Sequence, residues 1–186
     1  MGSERAVLAD CERLLAVFRG VGIAAAVTLF AVQASAAVAK SAATPRCQEK
    51  ALSITLTGAS PGLSHHGYVI EFKNRGSACT IAGYPGVDAL NAQGHRILSA
   101  QRAKAGYLGG VTSGPIPTVH LAKGKTASAI LEWIDLGPPC PSAHSLRITP
   151  PNAVTSVVLS PASLQSETLC RVRIHPVVPG RTGQRQ

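Results

Sequence analysis

Of the chain's 186 residues, 15% are charged and 45% belong to the apolar AVILMFWYC set, which excludes both a disordered tail and an ordinary charged cytosolic protein. Three Phe, three Tyr and one Trp leave the core to aliphatic side chains, and 18 Gly with 13 Pro punctuate the chain too often for long helices, so sheet packing suits it better than a large ligand cavity. The formal charge is +9; Arg5, Arg13 and Arg19 cancel Glu4, Asp10 and Glu12 within residues 1–39, so the whole excess falls on the remainder.

The first element in chain order is the uncharged run Val21–Ala39, preceded by Arg13 and Arg19 and followed by Lys40. Small residues at Ala34-Ser35-Ala36 and Ala37-Val38-Ala39 offer two cleavage sites, so residues 1–39 are expected to be a signal peptide. The competing reading is an N-terminal membrane anchor, since about 20 apolar residues span a bilayer. Cys47 follows Thr44-Pro45-Arg46 rather than small residues, which argues against a lipid-anchored cysteine. Residues 40–46 read as a linker.

From Cys47 on, the period is two. Leu52, Ile54 and Leu56 alternate with Ser53, Thr55 and Thr57; Tyr68, Ile70 and Phe72 alternate with Val69, Glu71 and Lys73, up to the turn cluster Asn74-Arg75-Gly76-Ser77. A short extended piece from Cys79 meets a Pro85-Gly86 corner, and 87–90 and 96–98 flank a tight turn at Asn91-Ala92-Gln93-Gly94. Residues 100–117 form the longest irregular connection. Strands at 118–121 and 126–134, joined by Ala122-Lys123-Gly124-Lys125, are expected to pair as a hairpin, with Ala127, Ala129, Leu131 and Trp133 on one face and Trp133 as core anchor. Strands at 146–149, 154–159 and around 169–177 complete the chain, the last with Cys170, Val172 and Ile174 inward and Arg171, Arg173 and His175 opposite. Seven to nine short strands without an amphipathic helical window predict an all-β, immunoglobulin-like two-sheet sandwich over 47–180, and residues 181–186 read as a disordered tail.

Cys11 lies before the apolar run, leaving Cys47, Cys79, Cys140 and Cys170, an even number that suits structural disulfides in an exported chain. Three pairings are open. Sequence proximity alone favours Cys47 with Cys79 and Cys140 with Cys170, each contributing about 3–4 kcal/mol in the chain-entropy model.

The segment Asn74-Arg75-Gly76-Ser77-Ala78-Cys79-Thr80-Ile81-Ala82-Gly83-Tyr84-Pro85-Gly86-Val87 resembles the centre of the four-cysteine domain-of-unknown-function family (number four-two-three-two) of exported actinobacterial proteins and lipoproteins. Leu121, Gly124, Trp133, Cys140, the run Leu146-Arg147-Ile148-Thr149-Pro150-Pro151, Cys170 and the stretch 176–180 extend the resemblance over nearly all of 47–180. Where the family tends to have Pro before Gly, this chain has Ala122-Lys123-Gly124, so that turn departs from the pattern. The resemblance implies a β-sandwich in the envelope or outside the cell, and no activity.

Catalytic and metal chemistry finds little footing. His65 and His66 are adjacent and so face opposite ways on a strand, with no ligand at metal spacing; neither metal nor cofactor is expected. No Gly-x-Ser-x-Gly elbow surrounds any serine, Ser113 included, and 106–114 lacks the Gly-Lys-Ser/Thr ending of a phosphate loop. Glu71, Glu132 and Asp135 are the acids that a hydrolase acting on envelope carbohydrate or ester would have to use.

What remains is positive charge. Arg102, Lys104, Tyr107, Lys123, Lys125, Arg171 and Arg173 form the candidate contact set for an anion or ligand, against the competing reading of a solvated face that keeps the chain soluble. The expected function is a non-enzymatic binding or structural module at the cell envelope, its partners anionic envelope polymer or lipid head groups, with no nucleic acid and no membrane contact beyond an uncleaved N-terminal segment. A hydrolase is one alternative. The other is a recognition domain for another exported protein, which predicts a sheet edge without the usual charges and prolines.

Overall fold

A computed structural model describes residues 43–58, 65–104, 114–136 and 139–184, all within the unit Ala42–Gln186. The signal-peptide or anchor expectation for residues 1–39, Tyr107 and Ser113 lie outside the described residues.

The period-two runs become strands. β1 (Leu52–Gly58), β2 (His65–Asn74), β8 (Thr126–Ile134), β11 (Cys170–Ile174) and β6 (Gln101–Arg102) lie in that order in a sheet completed by β12 (Val178–Pro179) on β8. A second sheet has the order β10 (Val157–Leu159), β9 (Ser145–Thr149), β4 (Gly86–Leu90), β5 (Arg96–Ser99). Only Ala100 separates β5 from β6, so the chain steps between sheets at one lateral edge. At the other edge the Thr155 hydroxyl, just before β10, donates to Glu49, just before β1, at 2.9 Å.

Register explains the core. Tyr68, Ile70 and Phe72 on β2 stand opposite Leu131, Ala129 and Ala127 on β8, so two of the three pairs set a large side chain against alanine. Trp133 continues this face, and the second sheet closes it with Val87, Ala89, Leu146 and Ile148. Burying Phe72, Trp133, Leu146 and Ile148 completely contributes on the order of 2 kcal/mol per side chain. The fold is the expected all-β sandwich, and its disulfides are Cys47–Cys79 and Cys140–Cys170.

Several local expectations are corrected. β7 (Thr118–Leu121) and β8 do not form a hairpin: β7 pairs with β3 (Cys79–Ala82) as a two-stranded ribbon, while β8 pairs with β2. The cause is the turn between them, which is held by β2. Gly124 N–H donates to the Asn74 carbonyl at 2.7 Å, Asn74 N–H donates to the Lys125 carbonyl at 2.9 Å, and the Asn74 side chain donates to the Leu121 carbonyl at 2.9 Å. These bonds turn the chain out of one ladder and into another, at a position where Gly124 has φ +82.

The expected linker 40–46 is partly structured, since the Pro45 carbonyl accepts from Thr80 N–H at 2.8 Å and Arg46 bridges to Thr80. The stretch 100–117 contains β6, whose two residues pair in parallel with β11. The tail expected to be disordered over 181–186 is docked across residues 181–184. Gly183 is buried, its N–H donates to Ser128 Oγ at 2.8 Å, and Arg181 pairs with Glu71 at 3.0 Å. This segment crosses the face of β2 and β8 that points away from the core, where Val69, Ser128 and Ile130 are also buried. Among the described residues no helix is long and apolar enough to cross a membrane.

Candidate functional site

Strand direction divides the basic residues singled out in the sequence. Lys123 and Lys125 sit in the turn that starts β8, whereas Arg173 on β11 lies opposite Glu132, six residues further along β8 and about 20 Å away at strand rise. Arg171, with φ +50 in the irregular stretch of β11, points to solvent beyond Arg173. Arg102 stacks over the Tyr84 ring, 5.7 Å from its centroid, and Lys104 is exposed two residues on. The candidate set is therefore not one surface.

A different grouping forms around Lys125. A cleft of about 580 Å³ is lined by Lys73 from the end of β2, His120 from β7, Lys125 from the turn and Arg181 from the docked C-terminal segment. Lys73 and Thr126 are register partners, and β12 pairs with Ala127 and Ser128, which brings Lys73, Lys125 and Arg181 to one end of the sheet, where β7 adds His120 to the lining. Among the described residues only Arg181 of these four has a carboxylate partner, Glu71, and its side chain is still 73% exposed. The cleft is thus cationic, open and served from four elements. The sequence pattern pointed to Lys125 and missed Lys73, His120 and Arg181.

Each of the three acids singled out in the sequence is engaged, and of these only Glu71 meets a cleft residue. Glu71 faces Arg181; Glu132 lies 3.0 Å from His175 Nε2, with both side chains fully buried; Asp135 accepts the Thr168 hydroxyl. Glu71 lies opposite Ser128, four residues from Glu132 along β8 or about 13 Å, so these two carboxylates do not meet over a common point. His66 lies 3.1 Å from Glu167 and stacks on Trp133, while His65 stands opposite Ile134. Among the described residues no three His, Cys, Asp or Glu side chains converge to hold a metal.

Tyr68 and Asp88 titrate away from their ordinary values. Burial raises the Tyr68 phenol, with Glu167 adding to the rise and a 2.6 Å hydrogen bond to Ser163 opposing it. For Asp88 burial also pushes upward, but the Ser99 hydroxyl and the Arg147 guanidinium at 2.7 Å outweigh it and hold the carboxyl below the usual range. Both sites are structural rather than part of the cleft.

The family model described as Domain of unknown function (DUF4232) matches residues 47–178. The chain belongs to the DUF4232 family. No curated protein matches the chain, and no solved structure does. The matched DUF4232 segment ends at the start of β12, so Arg181 and the docked residues after it lie beyond it.

Proposed function

We propose that this DUF4232 domain is a non-enzymatic binding module of the cell envelope whose cationic cleft takes an anionic phosphate group, on an envelope polymer or a lipid head group. The observation that carries the reading is the convergence of Lys73, His120, Lys125 and Arg181 on one open cleft. Two disulfides suit an oxidising compartment outside the cytoplasm, where such polyanions are the available partners.

The test is binding of the full chain, with disulfides formed, to soluble polyphosphate and to vesicles of phosphatidylglycerol in phosphatidylcholine, at low and high salt. Binding is expected to weaken with salt and to fall at least tenfold in Lys73→Glu/Lys125→Glu, while Arg171→Glu/Arg173→Glu leaves it within twofold. Preference for polyphosphate or for vesicles separates the two phosphate sources. Equal losses in both double variants would reduce the effect to overall charge and sink the cleft reading, as would absence of binding at low salt.

A further inference from the structure

Edge strands usually carry charges, prolines or bulges, because a free row of N–H and C=O groups pairs with whatever strand arrives. β1 has none of these. Its seven residues, Leu-Ser-Ile-Thr-Leu-Thr-Gly, include no charge and no proline, and it pairs with β2 in unbroken register from Leu52↔Asn74 to Gly58↔Tyr68. Among the described residues nothing pairs with its outer edge. Among the described residues the other outermost strands of the two larger sheets are shorter: β10 has three residues, β5 has four and β6 has two.

We infer that the outer edge of β1 receives an extended segment of another exported protein as an additional antiparallel strand, with apolar and hydroxyl residues alternating and an acidic C-terminal end. The alternation follows from β1 itself. Leu52, Ile54 and Leu56 reach the core while remaining partly exposed, so an incoming apolar residue on that face continues the core; Thr55 and Thr57 face solvent. The acidic end follows from charge. Lys50, Lys73 and Arg75 are exposed around the start of β1, Arg75 reaching Ser53 Oγ at 3.4 Å, and none of the three has a carboxylate partner among the described residues. An antiparallel partner ends where β1 begins, which sets its C-terminal end beside these cations. A second copy fits less well. Its β1 carries no acid to offer them, and the chain's formal charge of +9 opposes self-association. This docking edge shares Lys73 with the cleft, but it stands on the free backbone of β1 and on Lys50 and Arg75 outside the cleft lining, so it survives failure of the cleft reading.

The probe is a fluorescent eight-residue peptide of three Thr-Val repeats ending in two Asp, titrated by anisotropy against the full chain with both disulfides intact. Saturable binding is expected, at least tenfold weaker when two Lys replace the Asp pair and about threefold weaker with Arg75→Ala. N-methylating the peptide amides along one edge is expected to cost at least tenfold and along the other edge under twofold, because only one edge meets β1. No saturable binding, equal cost from both methylated edges, or equal affinity of Asp-ended and Lys-ended peptides would overturn the proposal. So would sedimentation showing that the chain dimerises and that Thr55→Pro abolishes the dimer, since the second copy would then own the edge.

Discussion

Replacing Gly183 with alanine strikes the docked C-terminal segment at its tightest point. Gly183 has φ +69, and a Cβ there would overlap Ile130 Cγ1 and come within 3.2 Å of the Ala129 carbonyl carbon. The cost is bounded by what holds the segment, because residues 180–184 let go once strain exceeds docking. That docking comprises Gly183 N–H to Ser128 Oγ and Ser128 Oγ to the Gly180 carbonyl, about 1 kcal/mol each, and the Arg181–Glu71 pair, solvent-screened on its arginine side, about 0.5 kcal/mol. With the apolar cover over Ile130, the loss comes to about 3 kcal/mol. Gly180→Ala is the control, since Gly180 has φ +88 with nothing within 4 Å of an added Cβ, leaving about 1–2 kcal/mol of backbone strain. Urea denaturation measures both variants, and the rate of tryptic cleavage after Arg181 reports release of the segment. If Gly183→Ala is no more destabilising than Gly180→Ala, or leaves cleavage at Arg181 unchanged, the docking argument is wrong.

Other outcomes follow from the same geometry. Removing Cys140–Cys170 as a double serine variant, with the cysteines 30 positions apart, is expected to cost about 3–4 kcal/mol in urea denaturation, and Cys47–Cys79, 32 positions apart, the same within error. His175→Leu removes a partner of the fully buried Glu132 and is expected to cost about 3 kcal/mol, most of it recovered in Glu132→Leu/His175→Leu. The depressed Asp88 carboxyl contributes stability that is complete above the unfolded pKa of about 3.9 and is lost as pH falls through its lower folded value. Asp88→Asn is therefore expected to flatten the acid side of the stability profile below about pH 4 and to leave its slope near neutrality unchanged.

Strand content was legible because each strand advertises itself locally. The alternation at Leu52, Ile54 and Leu56 and at Tyr68, Ile70 and Phe72 needs no distant partner to be seen. The hairpin expected between β7 and β8 failed because the bonds that decide its turn come from Asn74, far back in the chain, and a local pattern carries no trace of them. β6 escaped notice because two residues show no period. The cleft was illegible for the same reason at larger scale: Lys73 and Arg181 are separated by most of the domain, and only the β2–β8 and β8–β12 registers bring them together. His175 read as a strand residue opposite the core, yet the face it occupies is covered, which put a fully buried Glu132–His175 contact where alternation predicted solvent.

The two disulfides follow one another along the chain without interlocking, and this sets how the domain answers a protease. A cut between 48 and 78, or between 141 and 169, leaves a single covalent body, because a disulfide spans the break. A cut anywhere from 80 to 139 divides the covalent graph into two halves, one carrying β1 to β3 and the other β9 to β11. After such a cut only noncovalent pairing joins the halves, whether strand to strand or across the shared core. A nick in that middle third turns one covalent chain into a complex of two pieces, whose association depends on concentration as the joining of an uncut chain's halves does not.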